Sequence, residues 1–300
     1  MEYILENEIL KVTVASKGCE IISVMNKEIG KEYMWCGNPD AWKRHAPVLF
    51  PLIGRYKNDE SVHEGDTYHM TQHGFARDME FSLVEQTATS IKMKLVENEE
   101  TKMKYPFNFD LILGYELNEN VVKATYELRN TNASDMYFSI GGHPAFAAPA
   151  GNKGEAGDDT AAGCELIFED ENGAYTNRIQ YGLLSSEGLL LDDLYDMSLS
   201  EGKTLITDDF FDKDALIIEN DQCHKVSLMY YGKKFVTVEF DAPVFGIWSA
   251  AKKNVPFVCI EPWYGRTDRA SFNGELKDRE WGNTLKAGEV FDKAYRMIFA

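Results

Sequence analysis

The sequence lacks the long apolar segments and basic tracts that several classes of protein require. No stretch of its 300 residues approaches the roughly 18 consecutive apolar residues of a membrane-spanning helix. The first residues, MEYILENEILKV, show no basic start followed by an apolar core, so no secretory signal is predicted. The net charge of −18, without a run of Lys or Arg, argues against nucleic acid and weakly against an anionic membrane as partner. We therefore expect a cytoplasmic protein with a neutral ligand.

The signature motifs of nucleotide cofactors and serine nucleophiles are also missing. No G-x-G-x-x-G follows a predicted strand, and neither a P-loop nor a G-x-S-x-G occurs. His69 and His73 have i,i+4 spacing, which suits a metal only on a helix, whereas their context predicts strand and turn. No cofactor and no metal is therefore predicted. The cysteines form no C-x-x-C pair, which is typical of reduced thiols in a cytosolic protein; they are Cys19, Cys36, Cys164, Cys223 and Cys259.

Period-two alternation of apolar and polar residues is the dominant pattern. Val, Ile, Thr, Tyr and Phe fill these runs, as strands prefer. The clearest runs are Ile91–Leu95, Leu111–Leu117, Val122–Leu128 and Phe235–Phe240. Turn signals at Asn118–Asn120 and Tyr231–Lys233 predict hairpins. Many short strands at regular spacing indicate an all-β protein, either a sandwich or a large curved sheet pair, with concave faces where sugars can lie.

Helical periodicity and domain boundaries are hard to find. Leu276–Leu285 and the acidic stretch near Asp208 are candidates for one or two helical turns. The stretch Ala147–Gly163, rich in Ala, Gly and Asp, reads as a long surface loop. Strands of the same style continue beyond it, so we expect a single domain over residues 1–300.

Two motifs in the first quarter of the chain place polar groups beside glycine. In PVLFPLIGRY (Pro47–Tyr56), Arg55 follows an apolar run and offers a rigid fork of donors for hydroxyls or a carboxylate. A surface salt bridge explains Arg55 equally well. In QHGFAR (Gln72–Arg77), His73 precedes a turn glycine. Taken alone, a structural histidine is the more common explanation there.

The motif SIGGHPAF (Ser139–Phe146) favours a functional role on local grounds. Its two glycines allow close approach of the backbone, and Pro144 fixes the bend after His143. A histidine held in such a rigid turn is a good candidate for general acid or base.

The motif FVCIEPWYGR (Phe257–Arg266) places a carboxylate at the end of an apolar strand. Burial would raise the pKa of Glu261 towards the range that suits a general base. Trp263 adds a flat apolar face of the kind that sugars stack against. The alternative is a structural carboxylate paired with Arg266 or Arg269.

Taken in order along the chain, these four motifs resemble the aldose 1-epimerase (galactose mutarotase) family. The resemblance is strongest to the bacterial branch that includes LacX, and it runs from near residue 1 to the C-terminus. FPLIGRY, QHGFAR, GGHPAF and IEPW are highly specific as an ordered set. The resemblance implies a large antiparallel supersandwich and a cofactor-free isomerase that interconverts the α and β anomers of a hexose.

The resemblance also implies roles for individual residues. Glu261 matches the general base, and His143 matches the general acid. Arg55 and His73 match groups that hold the sugar and its ring oxygen. The implied reaction moves a proton from the C1 hydroxyl and another to the ring oxygen, for which two groups on opposite sides of the ring suffice without a metal.

The resemblance extends to an aspartate but is incomplete around the acid histidine. Asp214 in FDKDALI matches the aspartate that binds sugar hydroxyls, with Asp209 and Asp212 as neighbouring alternatives. The sequence around the acid histidine differs from that of galactose mutarotase proper, so the resemblance transfers the catalytic pair but not the identity of the sugar.

Three other functions compete with this prediction. A hexose-6-phosphate epimerase of the same superfamily would use basic groups such as Lys43, Arg44 and Arg77. A carbohydrate-binding protein would keep the fold without turnover. A glycoside hydrolase would use two facing carboxylates, and a histidine in GGHPAF does not suit that chemistry. In each case the partner is a small sugar, and the chain is expected to act as a monomer or homodimer.

Overall fold

The structure, a computed structural model, describes residues 1–148, 160–230, 232–253 and 255–300. Strands dominate these residues, and the single α-helix among them, α1 (Glu99–Lys104), has six residues. Short 3-10 helices cover Lys57–Asp59, Ala76–Asp78 and Leu276–Asp278. Across the described ranges, no helix is long and apolar enough to span a membrane.

The strands are numbered in chain order. They are β1 (Glu2–Glu6), β2 (Leu10–Ala15), β3 (Glu20–Asn26), β4 (Lys31–Glu32), β5 (Val48–Leu49), β6 (Glu60–His63), β7 (Asp66–His69), β8 (Ser82–Gln86), β9 (Ser90–Val96), β10 (Phe109–Asn118), β11 (Val121–Asn130), β12 (Met136–Phe138), β13 (Ile140–Gly142), β14 (Ala145–Ala147), β15 (Cys164–Glu169), β16 (Gln180–Leu184), β17 (Leu190–Asp196), β18 (Lys203–Leu205), β19 (Leu216–Ile218), β20 (Lys225–Tyr230), β21 (Lys233–Phe240), β22 (Val244–Trp248), β23 (Phe257–Tyr264), β24 (Asn283–Leu285) and β25 (Val290–Phe299).

Two large antiparallel sheets form the body of the protein. One has nine strands in the order β18-β15-β20-β21-β25-β11-β10-β9-β8. The other has eight strands and runs β17-β16-β19-β22-β23-β13-β5, with β14 also paired to β23. Strands β1 to β4 form a smaller sheet, and β6-β7 and β12-β24 are two-stranded. The predicted all-β sandwich is confirmed.

The alternation that predicted strands corresponds to burial on one face. In β11, every second residue from Val122 to Leu128 is buried and the intervening residues are half-buried. Strands β10 and β11 pair in antiparallel fashion around the predicted turn at Asn118–Asn120. Strands β20 and β21 pair in the same way, which agrees with the second predicted hairpin, although Tyr231 lies outside the described residues.

The helices and loops agree with the sequence predictions only in part. The expected helical turn after Leu276 is present as Leu276–Asp278, whereas the segment around Asp208 forms turns and no helix. Helix α1 was not predicted, because six residues give no periodicity. In its capping box the Asn98 side chain accepts a hydrogen bond from the N–H of Thr101, and the Thr101 hydroxyl accepts one from the N–H of Asn98. Most of the predicted loop Ala147–Gly163 lies outside the described residues, and Ala147 itself ends β14.

The two large sheets share one hydrophobic core. Leu111 and Met297 of the nine-stranded sheet belong to the same buried cluster as Ile247 and Ile260 of the eight-stranded sheet. The sheets approach closely at Gly142, where an added Cβ would lie 2.7 Å from the hydroxyl of Tyr295. A side chain at this position would separate the sheets, which explains one of the two glycines before the histidine.

Replacing Gly142 with alanine tests this close approach. We expect Gly142→Ala to lower the free energy of unfolding by about 1–3 kcal/mol, as overpacking of a core does. Chemical denaturation followed by tryptophan fluorescence measures the change. Gly282→Ala is the matched control, because the nearest atom to its added Cβ, the Arg279 carbonyl oxygen, is 3.2 Å away. Equal losses in the two variants would contradict the steric explanation.

Candidate active site

Strand β23 supplies the carboxylate of the site and is buried on both faces. Val258, Ile260 and Tyr264, which share one face of the strand, belong to the main core between the sheets. Because side chains of a strand alternate, Glu261 and Trp263 point to the opposite face, where they line a pocket. Residues of the apolar run before Glu261 therefore pack in the core, while the carboxylate itself faces the pocket.

Register places the histidine opposite this carboxylate. Strand β13 pairs with β23 at Gly141, and β14 pairs with the same strand at Ala145. His143 lies halfway between these two pairs, in the bend that connects the strands, and so comes to rest across from Glu261. The Nε2 atom of His143 lies 3.3 Å from Oε2 of Glu261. The motifs GGHPAF and IEPW thus meet side by side.

The histidine and the carboxylate are both largely withdrawn from water. Glu261 is 1% exposed and His143 is 6% exposed. Within the described part of the chain, neither Oε2 of Glu261 nor Nδ1 of His143 has a hydrogen-bond partner. Buried polar atoms are normally hydrogen-bonded, so atoms left without partners in a pocket are candidates for binding a ligand.

Burial shifts the proton affinities of both groups towards their uncharged forms. It raises the pKa of Glu261 well above its ordinary value, and the nearby Asp214 carboxylate acts in the same direction. It lowers the pKa of His143 to about 3, with a smaller contribution from the positive charges of Arg77 and Arg44. A neutral imidazole beside a protonated carboxyl group is the arrangement that burial favours.

His73 enters the site from a tight turn. Its backbone has a φ of 67°, in the left-handed region, and its N–H donates to the carbonyl of Gly54 at 2.8 Å. The N–H of Gly54 in turn donates to Nδ1 of His73 at 3.1 Å. The imidazole therefore carries any ring proton on Nε2. Burial and the neighbouring His143, whose ring centroid is 5.7 Å away, lower the pKa of His73 well below its ordinary value.

Tryptophans surround His143 on two sides. The ring of Trp42 stacks on the imidazole at a centroid distance of 4.8 Å, and Trp248 meets it edge-on at 5.4 Å. Trp42, Trp248 and Trp263 all line the pocket. Only Trp263 was singled out from the sequence, because the other two lie outside the four motifs and reach the site only through the fold.

The pocket has a volume of about 310 Å³. Its polar lining comes from four of the predicted residues together with Gln72, Arg77 and Thr267. The predicted residues are His73, His143, Asp214 and Glu261. A pocket of this size, with aromatic walls and a few convergent polar groups, is typical of a small-molecule site.

Asp214 is held at the rim by a tryptophan. Its Oδ1 accepts a hydrogen bond from Nε1 of Trp248 at 2.6 Å, which fixes the carboxylate beside the pocket. Asp212 lines only the adjoining cavities, and Asp209 accepts a hydrogen bond from Thr207 instead. Of the three aspartates considered from the sequence, Asp214 is the one that lines the pocket.

Arg55 lies farther out than the sequence suggested. Its guanidinium contacts both carboxylate oxygens of Asp59 at 2.9 Å, so the salt bridge considered as an alternative is present. Arg55 lines a more open cleft of about 800 Å³, not the pocket itself. The cleft and the pocket are adjacent, since Gln72, Gly188 and Asp214 line both.

Arg77 is the cation that lines the pocket. Within the described residues its Nε has no hydrogen-bond partner, and it lies 3.8 Å from Oδ2 of Asp78. Burial lowers the pKa of Arg77 to about 10, so the side chain remains charged at neutral pH. Arg44 pairs with Asp78 beside it, at 3.0 Å.

The structural alternative for Glu261, an ion pair with a nearby arginine, does not match the structure. Arg266 donates to Glu219 at 2.6 Å, and Arg269 donates to Glu280 at 2.9 Å. These arginines thus have other carboxylates as partners. The network fixes the chain that follows β23, while Glu261 remains available to the pocket.

Comparisons with known proteins agree with this geometry. The sequence profile of the family described as aldose 1-epimerase matches residues 1–297. The chain belongs to the aldose 1-epimerase family. The chromosomal protein LacX of Lactococcus lactis subsp. lactis is similar, with 30% identity over 302 residues that cover 97% of both chains.

Solved structures show the same fold. A galactose mutarotase related enzyme from Lactobacillus acidophilus has 37% identity and a TM-score of 0.91, over 100% of this chain and 97% of that chain. A galactose mutarotase-like protein from Lactobacillus casei has 28% identity and a TM-score of 0.92, with both chains fully covered. Membership of the aldose 1-epimerase family assigns the chain to the carbohydrate epimerases, which are isomerases.

Proposed function

We propose that this epimerase interconverts the α and β anomers of a neutral aldohexose, with Glu261 and His143 as the acid–base pair. The observation that carries the proposal is the contact of their side chains, 3.3 Å apart in an aromatic-lined pocket. An imidazole and a carboxylate are the two side chains most often used for proton transfer near neutral pH. Family membership supports the same reaction.

The geometry suits ring opening at C1. Mutarotation requires that the C1 hydroxyl loses a proton while the ring oxygen O5 gains one, after which the C1–O5 bond breaks. Rotation about C1–C2 and reclosure give the other anomer. Because O1 and O5 are both bonded to C1, two neighbouring groups can contact one oxygen each. The side chains of Glu261 and His143 lie side by side in the pocket, and the placement of the two groups on opposite sides of the ring stays a prediction.

One proton serves the pair throughout. In the assigned roles the proton begins on His143, which donates to O5, while the Glu261 carboxylate accepts from the C1 hydroxyl. In the absence of sugar, burial favours the same proton on Glu261. The two arrangements carry the same total charge and differ only in which of two atoms, 3.3 Å apart, holds the proton. Sugar hydroxyls that replace lost solvation would favour the charged arrangement.

The remaining contacts would orient the sugar. Asp214, fixed by Trp248, presents a carboxylate to hydroxyls at the rim of the pocket. His73 presents the Nε2 side of its ring, and Trp263 offers an apolar face for a sugar ring. Arg55 would contact only a part of the substrate that reaches the outer cleft.

Removing either member of the pair tests the roles directly. We expect Glu261→Gln and His143→Asn each to lower kcat by about 10²–10⁴-fold, the usual contribution of a positioned acid or base. Polarimetry on freshly dissolved α-D-glucose and α-D-galactose measures the rate. Circular dichroism and thermal unfolding serve as controls for folding. Near-wild-type rates in both variants would contradict the roles of Glu261 and His143 as the acid–base pair. Sugar binding by the wild-type protein without any acceleration would favour a binding protein.

The shifted pKa values predict an unusual pH profile. With ordinary values for glutamate and histidine, the singly protonated pair would persist only between about pH 4.3 and 6.5. Burial lowers the pKa of His143 to about 3 and raises that of Glu261, so a second proton joins the pair only near pH 3 and the last leaves well above pH 4.5. We therefore expect kcat/KM to keep its plateau value down to about pH 4 and to fall only near pH 3, instead of at about pH 4.3. A bell-shaped profile confined between the two ordinary values would contradict the shifts.

A hexose-6-phosphate epimerase is the second candidate, favoured by one observation. The half-buried guanidinium of Arg77 lines the pocket and keeps an N–H without a hydrogen-bond partner among the described residues. Arg44 is occupied by Asp78, and Lys43 does not line the pocket. The net charge of −18 opposes the approach of a phosphate.

Comparing a sugar with its 6-phosphate separates the two candidates. We expect kcat/KM to be higher for D-glucose than for D-glucose 6-phosphate, and Arg77→Met to change both values by a similar factor. Polarimetry on the two substrates, with wild type and variant, gives the four values. A preference for the phosphate that Arg77→Met removes selectively would replace the neutral hexose with a hexose phosphate as substrate.

A further inference from the structure

A third ligating side chain lies beside the acid–base pair. Cys259 precedes Glu261 by two residues on β23, so both side chains leave the strand on the same face. Cys259 is fully buried, in a small cluster with Trp35 and Phe257. Candidate ligand atoms of His143, Cys259 and Glu261 all lie within 4.8 Å of one another. No other group of three His, Cys, Asp or Glu side chains in the described ranges meets this condition.

The spacing of two of these atoms fits a tetrahedral metal ion. Zn²⁺ binds imidazole nitrogen and carboxylate oxygen at about 2.0–2.1 Å, and a tetrahedron of such bonds has edges of about 3.3 Å. The Nε2 atom of His143 and Oε2 of Glu261 are 3.3 Å apart. That carboxylate oxygen is buried and has no hydrogen-bond partner among the described residues, so its lone pairs are available.

Charge and ligand type select the kind of ion. A thiolate and a carboxylate together carry two negative charges, which balance a divalent cation and leave the buried cluster neutral. Thiolate ligands favour Zn²⁺ and similar ions over Mg²⁺ and Ca²⁺, which prefer oxygen. One nitrogen, one sulfur and one oxygen from the protein leave the fourth position of a tetrahedron for a water molecule or a sugar hydroxyl.

We propose that His143, Cys259 and Glu261 form an inhibitory site for Zn²⁺. Binding releases two protons, the thiol proton of Cys259 and the one shared by the pair, in exchange for the two charges of the ion. The bound ion occupies the lone pairs of the imidazole and the carboxylate, which then can neither donate nor accept a proton. Only the expected inhibition rests on the proposed function; the binding itself does not.

Cobalt spectroscopy tests the site without reference to activity. In a Cys36→Ser background, which removes the exposed thiol, titration with Co²⁺ should give a thiolate-to-cobalt charge-transfer band that saturates at one ion per chain. Zn²⁺ should abolish the band by displacement. Cys259→Ala should lose it, whereas Cys223→Ala, a matched buried cysteine, should keep it. No band, or a band that survives in Cys259→Ala, overturns the proposal.

Inhibition provides the second test. We expect Zn²⁺ to suppress mutarotation, EDTA to restore it, and Mg²⁺ to have no effect. Cys259 does not line the pocket, so Cys259→Ala should keep the rate measured without metal. The same variant should raise the Zn²⁺ concentration for half-inhibition at least about tenfold, since even loss of a residue that only supports a metal ligand costs that much. Equal sensitivity of variant and wild type would contradict a thiolate ligand.

The two tests fail in different ways. If no sugar shows accelerated mutarotation, the proposed function fails, and the cobalt band still decides whether the metal site exists. If mutarotation occurs but Co²⁺ gives no band, the metal site fails alone. Should Cys259→Ala not fold, Cys259→Ser keeps nearly the same volume while replacing the thiolate with a much weaker ligand, and loss of the band in that variant carries the same conclusion.

Discussion

The site depends on one constraint: a carboxyl group lies on a strand that is buried on both faces. Glu261 is 1% exposed in the middle of β23. Holding an isolated carboxylate there costs several kcal/mol, because the charge loses its hydration. Burial favours a protonated Glu261 beside a neutral His143, an arrangement in which the pair carries no charge. The shifted pKa values and the polarity of the pocket follow from this one placement, and the proposed metal sensitivity would follow from it as well.

The eight-stranded sheet makes the placement possible by using its two faces differently. One face joins the core against the nine-stranded sheet, and the other forms the wall of the pocket. The bend between β13 and β14 brings His143 to the pocket face directly across from Glu261. Gly142, immediately before it, faces the core, where the hydroxyl of Tyr295 leaves no room for a side chain. Core packing therefore fixes the position of the histidine relative to the carboxylate.

The features that suit the proposed proton transfer would also suit the proposed binding of Zn²⁺. Lone pairs on an imidazole and a carboxylate, held 3.3 Å apart with little water, can meet the C1 hydroxyl and ring oxygen of a sugar or a single metal ion. Cys259 adds the third ligand because strand alternation leaves it on the same face as Glu261. Catalysis and inhibition would then compete for the same atoms, with the ion entering through the pocket and the thiol approaching from behind it.

Strand alternation was enough to predict the sandwich, because period-two burial is a short-range pattern. The motifs singled out His143 and Glu261 in the same way, through two glycines before a histidine and a carboxylate after an apolar run. The sequence could not show how far apart His143 and Glu261 lie, because register between β13, β14 and β23 sets that distance. Nor could it show that Arg55 pairs with Asp59 in the outer cleft, or that Trp42 and Trp248 enclose the imidazole. Arg55 and Asp59 are four residues apart, and the local turn between them brings their side chains together. The two tryptophan contacts join segments distant along the chain, and only the packing of the sheets and their loops decides which segments meet.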